Sequence, residues 1–270
     1  MRHWREENKA LPAKNLALGT GNAATKANRY MEHHYPETRF GGFTRIDGTI
    51  AFFTRVNALL HPDFTVLDVG CGRGEYAEDA NVYRRNLRIL KGKVQRVIGI
   101  DVEQTGQENP CIDEFRLIEG ERWPVEDKIA DMIVCDSVVE HLPNPDAFFE
   151  ECRRALKLGG SLCLRTPNTR SYFGLVSRLI PNRLHTTALS QVKDRRKEED
   201  VFPTLYRCNT RGRLRRALER HGFKACVYGY EAEPTYLSFN GLAYWLGTLH
   251  AKLAPQVFQL VLFGFARKVR

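Results

Sequence analysis

The sequence is short of several things that would each fix a class of protein. No apolar run approaches the roughly 20 residues that cross a bilayer as a helix. The most apolar segment, Val257 to Ala266, is too short for that. Met1-Arg2-His3-Trp4-Arg5 has no apolar stretch behind it, which speaks against a secretory signal. The 7 cysteines (positions 71, 111, 135, 152, 163, 208 and 226) are odd in number, and no pair has metal-finger spacing. Cys135 and Cys163 fall inside apolar runs, as small core residues do. A reducing, cytoplasmic setting is the expectation. Internal repeats and low-complexity tracts are absent too.

What is present describes an ordinary globular chain. Its 270 residues are 43% hydrophobic and 27% charged, enough for one large domain or two small ones with a substantial core. The net charge of +9 permits nucleic acid, anionic glycan or acidic lipid as partner but requires none of them. The positive residues are dispersed over Arg84, Arg85 and Arg88, over Arg195-Arg196-Lys197, and over Arg211 to Arg220. Dispersed runs read as solvated faces rather than a nucleic-acid footprint.

Residues 1–22 read as a loose tail and residues 23–60 as a helical lead-in, with apolar positions at helical spacing from Thr49 to Leu60. From Phe64 onward short apolar runs alternate with helical segments. The runs are 65–69, 96–101, 115–118, 131–136 and 161–166, with later strands at 224–230 and 259–268. One helix is expected from Asp146 to Leu158, capped by Asn144 and ended by Gly159-Gly160, and another from Thr210 to His221, ended by Gly222. The expected fold is α/β: a seven-stranded, mostly parallel sheet with helices on both faces. Insertions at 168–209, after the fifth strand, and at 231–256, between the last two, read as substrate loops or lids of a domain covering 61–270.

The densest signal is Leu67-Asp68-Val69-Gly70-Cys71-Gly72-Arg73-Gly74. A buried strand feeds a glycine turn, then a helix starting near Glu75. In an open parallel sheet such a turn sits where ligands bind, and glycine lets the backbone bend and the ligand approach. Dinucleotide spacing counted from Gly70 fails at Glu75, but counted from Gly72 it reaches Ala77, which a looser pattern admits. Charge weighs against a pyrophosphate, which would sit near Asp68 and Glu75. A ligand carrying ammonium and sulfonium groups fits better. No Gly-Lys-Ser/Thr follows, so a phosphate loop is excluded.

This run resembles motif I of the class I methyltransferases that use S-adenosylmethionine (SAM). Asp101, ending the second strand, resembles the acidic residue that holds the ribose hydroxyls in that family. Ile118-Glu119-Gly120-Glu121-Arg122-Trp123-Pro124 resembles the segment near the adenine, with Glu119 or Glu121 in the acidic role. Asp136-Ser137-Val138-Val139-Glu140-His141-Leu142-Pro143 resembles the segment after strand four in a branch with a Glu-His pair. Leu156-Lys157-Leu158-Gly159-Gly160 resembles its Leu-Lys-Pro-Gly-Gly element, with Leu158 in place of proline. The resemblance covers about 64–166 and implies a Rossmann-like fold. It also implies SAM held by Asp68, Gly70, Cys71, Gly72, Gly74, Asp101, Val102, Glu119, Gly120, Asp136 and Ser137.

Methyl transfer to a hydroxyl needs a base. His141, after the fourth strand, is the first candidate, set against a purely structural histidine. His185, in the 168–209 insertion, is the second. No carboxylate cluster resembles that of metal-dependent catechol-type enzymes, so no metal is expected. The insertion mixes polar and aromatic residues, Arg170, Tyr172, Arg183 and Tyr206 among them, which suits a sugar or an anionic acceptor as well as an ordinary surface excursion. The expected acceptor is a small molecule or glycan. Alternatives are an RNA methyltransferase, against which no RNA-binding module is found, and a non-catalytic SAM-binding or membrane-surface protein. The partly amphipathic Tyr236 to Leu253 supports the last, yet it reads equally as a lid helix or core. Phe40-Gly41-Gly42-Phe43 is either a lid over the cofactor or a plain turn.

Overall fold

A computed structural model describes residues 29–172, 174 and 203–270. The 1–22 tail, most of the 168–209 insertion and His185 lie outside the described residues.

Seven strands form one sheet: β1 (Thr65–Val69), β2 (Arg96–Asp101), β3 (Glu114–Leu117), β4 (Ala130–Asp136), β5 (Leu156–Pro167), β6 (Phe223–Tyr230) and β7 (Val261–Lys268). Their order is β3-β2-β1-β4-β5-β7-β6. The pairs from β3 through β5 are parallel, and β7 runs antiparallel to both β5 and β6. The mostly parallel sheet expected from the sequence is therefore observed. The order reverses beside β1, so the carboxyl ends of β1 and β4 open onto a crevice.

Strand period explains why both faces are covered. Val66, Met132 and Val134 face one way, toward Phe52, Phe53 and Val56 of helix α1 (Gly48–Ala58). Leu67, Ile133 and Cys135 face the other way, toward Phe148, Phe149 and Cys152 of helix α3 (Pro145–Ala155) and Leu214 and Leu218 of helix α4 (Arg211–Arg220). Helix α2 (Val82–Arg88) lies between β1 and β2 in the chain, and helix α5 (Gly241–Leu253) between β6 and β7.

Local chemistry moves three boundaries. No helix starts at Glu75: residues Glu75–Glu78 form a single 3₁₀ turn, and α2 begins only after Asn81, whose side chain accepts from the Arg84 amide. Helix α3 stops at Ala155, short of the expected end at Leu158. Leu156 is extended and pairs with Ala130, opening β5 early, and the register shift that follows absorbs Gly159 at φ +79°. β7 starts at Val261 rather than Gln259. Helix α4 ends as the sequence indicates, with Gly222 at φ +80°.

The lead-in is helical over 29–34 and from Gly48. Asp47 caps α1 by accepting from the Thr49 and Ile50 amides, both at 2.9 Å, and its second oxygen accepts from Arg84 at 2.9 Å. The Phe40–Phe43 turn is held by Asn81, which donates to the Gly41 carbonyl, and by Phe43 stacked on Tyr83.

Candidate cofactor and active site

The glycine turn leaves β1 under tight constraint. Gly70 has φ +71°, and a Cβ there would lie 2.4 Å from Cγ2 of Val138, so only glycine fits without repacking. The Gly70 N–H donates to the Ile100 carbonyl (2.8 Å), tying the turn to the neighbouring strand. Gly72, at φ +51°, has open space where its Cβ would be. Gly74, at φ +75°, has its Cβ position blocked by Asn109.

Asn109 is a residue that sequence reasoning missed. Its Nδ2 donates to the carbonyls of Cys71 (2.9 Å) and Gly72 (3.1 Å), while its Oδ1 accepts from the Cys111 amide. The turn is thereby pinned from the outside. Its only signal in the sequence is an Asn-Pro turn after β2.

Asp101 is buried at the end of β2. Oδ2 accepts from the Gly72 N–H (2.9 Å) and Oδ1 from the Glu103 N–H (3.1 Å). Two backbone amides thus fix the carboxylate and leave each oxygen a further lone pair. Val102 beside it is 56% exposed, an apolar surface at the mouth of the crevice. The turn after β3 is anchored by the Ile118 N–H donating to the Asp101 carbonyl. Glu119 and Gly120 just beyond are both exposed. Trp123 of the same segment turns away into the core, edge-on to Phe148 at 5.3 Å.

Carboxylates and arginines gather across the ends of β1, β4 and β5. Arg165 grips Asp136 with two bonds, Nε to Oδ1 at 2.7 Å and Nη2 to Oδ2 at 2.6 Å, and its third nitrogen donates to Thr49 of α1. Arg88 approaches the same carboxylate at 3.5 Å and lies over the Tyr76 ring. Burial opposes the Asp136 charge, but Arg165 and Arg88 overcome it and hold the carboxyl below its usual range. Asp68 fares differently. Burial, then the nearby Asp136 charge, pushes its carboxyl up to about 7, with Arg88 only partly offsetting them. The arginine run 84–88 is therefore no solvated face: Arg84 binds Asp47 and Asp79, and Arg88 belongs to this cluster.

Ser137 follows Asp136 at φ +63°, a left-handed conformation uncommon for a non-glycine residue. Its amide donates to the Arg165 carbonyl and its hydroxyl to Asp136. Beyond it Glu140 is buried, accepting from the Thr166 hydroxyl at 2.8 Å, and its backbone carbonyl accepts from the amides of Leu205 and Tyr206. This fastens the 203–209 strip to the loop after β4. His141 points Nδ1 at the Pro203 carbonyl, 3.1 Å away. A carbonyl only accepts, so Nδ1 carries the proton and Nε2 of the neutral ring is the basic nitrogen.

The structure thus brings together Asp68, Gly70, Cys71, Gly72, Gly74, Asp101, Asp136 and Ser137, with Val102 at the rim. Glu119 and Gly120 stand outside that hydrogen-bonded group. The donor set fits SAM. Two carboxylates that no arginine of the described residues bonds, Asp68 and Asp101, suit a ligand with ammonium and sulfonium charge, and the open flank at Gly72 leaves room for close approach. A pyrophosphate would meet the same carboxylates with repulsion.

Comparison with known proteins agrees. A family described as "Methyltransferase domain" matches residues 11–227. The chain belongs to that family, and by family and fold it is a class I, SAM-dependent methyltransferase domain. It is 33% identical over 134 residues to ubiquinone biosynthesis O-methyltransferase of Xanthomonas oryzae pv. oryzae, covering 44% of this chain and 53% of that protein. It is 32% identical over 113 residues to 2-methyl-6-phytyl-1,4-hydroquinone methyltransferase of Arabidopsis thaliana, covering 40% and 32%. The chain spans about half the length, or less, of these curated relatives. A SAM-dependent methyltransferase from Archaeoglobus fulgidus superposes with a TM-score of 0.51 at 18% identity, covering 86% of this chain and 97% of that one, which bears on the fold alone. Among the described residues no helix is long and apolar enough to cross a membrane.

Proposed function

We propose that the protein moves a methyl group from SAM to a hydroxyl oxygen of a small-molecule acceptor. The observation that carries this is the pairing of an open glycine turn at Gly72 with an amide-fixed Asp101 on the neighbouring strand. The relatives named above as O-methyltransferase and hydroquinone methyltransferase support oxygen or a phenolic ring as the acceptor class. Bound SAM would supply a methyl carbon activated by an adjacent sulfonium.

The protein's own part is position and electrostatics. Asp101 would accept from the ribose hydroxyls, held for that task by the Gly72 and Glu103 amides. Asp68 would face the cationic part of the donor. Val102 and the turn carrying Glu119 and Gly120 would border the adenine. His141 would remove the acceptor proton at Nε2, with Pro203 fixing its tautomer and ring plane. His185 stays a second candidate on sequence grounds alone. An anionic or glycan acceptor is favoured by a cavity of about 480 Å³ lined by Thr169, Arg170, Thr210, Gly212, Arg213 and Arg216, next to the strip that carries Pro203. A cytoplasmic setting is supported by the 7 cysteines, all of them free thiols.

The test is calorimetry with SAM, then mass spectrometry of candidate phenols, sugars and sugar phosphates incubated with enzyme and SAM. Binding in the wild type and its loss in Asp101→Ala are expected. A folded protein without affinity for SAM or its demethylated product would refute the reading.

A further inference from the structure

Helix α5 is turned inside out for a helix of a globular protein. The face that packs on the rest of the chain carries one aromatic, Tyr244, with Gly247 and Thr248. Tyr244 is buried against Tyr30 and His34, Thr248 is buried, and a Cβ on Gly247 would lie 2.5 Å from Pro234. The outward face carries Leu242, Trp245, Leu246, Leu249 and Leu253, each between 38% and 71% exposed. At 3.6 residues per turn these five fall within an arc of about 100°, one continuous stripe. Phe239 and Phe258, also exposed, stand just before and just after the helix. Asn240 caps the first turn by accepting from the Leu242 and Ala243 amides, so the stripe is presented on a fixed scaffold. A contiguous apolar patch of this kind marks an interaction surface.

Charge selects the occupant. No aspartate or glutamate follows Glu233, so the whole stretch from 234 to 270 is free of acid, while Lys252 lies beside the stripe and the chain as a whole is +9. A second copy would bring two such positive molecules together, at a Coulombic cost. A surface that is apolar below and anionic above meets both properties. At 13 residues the helix is about 20 Å long, too short to span a bilayer but suited to lie in its surface. We propose that α5 docks on an anionic lipid bilayer, with Trp245 and the four leucines in the headgroup–acyl boundary and Lys252 against the phosphates. Interfacial Trp and Leu on one face are the residues such a contact uses.

The experiment is co-sedimentation of the full chain with vesicles of phosphatidylglycerol and phosphatidylcholine, and with phosphatidylcholine alone. Salt-sensitive binding to the anionic vesicles is expected. Leu246→Asp should lower the partition coefficient about tenfold or more, the cost of losing one buried leucine, with SAM affinity unchanged as the sign of an intact fold. In the wild type, bromine-labelled acyl chains should quench the tryptophan emission, and Trp245→Phe should abolish that quenching. Absence of vesicle binding, equal binding by Leu246→Asp, or a dimer in solution that Leu246→Asp dissolves while lipid is ignored would each overturn the proposal. Failure of SAM binding alone would leave it standing.

Discussion

Asp68→Asn separates what the carboxylate costs the fold from what it does for the donor. The Asp68 carboxyl is pushed up to about 7 by burial and by Asp136, against an ordinary value of 3.8. The folded state therefore binds more protons than the unfolded one between these values, and stability falls as pH rises through that window. Below about pH 4 both states are protonated and nothing is lost; above about pH 7 the full penalty applies. A difference of this size corresponds to about 4 kcal/mol. The side chain is partly open to solvent at the floor of the crevice, which screens this to about 2 kcal/mol. An amide of the same shape carries no such penalty. The variant should gain nothing at about pH 4 and melt about 4–8 °C above the wild type at about pH 8, as read by calorimetric scans at both values. Donor binding should respond in the opposite sense. A cationic ligand beside Asp68 favours the carboxylate, so near pH 7 the wild type should release about half a proton on binding SAM. That release is measurable by titration calorimetry in buffers of different ionisation enthalpy. The amide variant should bind SAM more weakly and release none. A melting difference that is the same at both pH values, together with unchanged proton release, would refute this account of the crevice.

Two further substitutions probe the turn and the base. Gly70→Ala places a methyl 2.4 Å from Val138 at φ +71°, and should cost about 2–4 kcal/mol by chemical denaturation. Val138→Ala in the same chain should recover part of it, and no recovery would mean that backbone strain alone sets the cost. His141→Asn keeps a donor for the Pro203 carbonyl but removes Nε2. Turnover should fall about 100-fold or more with SAM affinity and melting temperature unchanged, and full activity would place the base elsewhere.

Much of the scaffold can be read from periodicity. Strands buried on both faces write continuous apolar runs, so β1, β2 and β4 are visible to within about a residue, and the glycine turn announces itself because φ above zero and close backbone approach admit little else. Boundaries set by competition between neighbours are not visible. Leu156 has the propensity to continue α3, and only its pairing with Ala130 draws it into β5. Cofactor candidates written as local motifs can be read, whereas partners brought in from afar cannot. Asn109 reaches back 38 residues to the Cys71 carbonyl, and Arg165 meets Asp136 from 29 residues away. Nothing in a basic run tells which arginine will fold inward. Helix α5 misleads for a related reason. Its periodicity is real, but which face turns inward depends on Tyr30 and His34, which lie against Tyr244, and on Pro234, which packs against Gly247.

The arginines explain how an acidic crevice selects its ligand. Three aspartates ring the ends of β1, β2 and β4, and two arginines answer them. Shared evenly, the arginines would spread the same net charge over all three sites and leave no local preference for a cation. Both instead meet Asp136: Arg165 through two bonds, and Arg88 at 3.5 Å from Oδ2 while held over Tyr76. Among the described residues Asp101 accepts only from backbone amides, and burial with the Asp136 charge, only partly offset by Arg88, keeps the Asp68 proton until about pH 7. The charge open to a ligand therefore lies at the glycine turn, on Asp101 and on Asp68 once a cation draws off its proton, while the Asp136 charge is already matched by arginine. A cationic donor is drawn to that place. Sequence spacing supplies the glycines, but this division of charge depends on Arg165 crossing from β5 to β4.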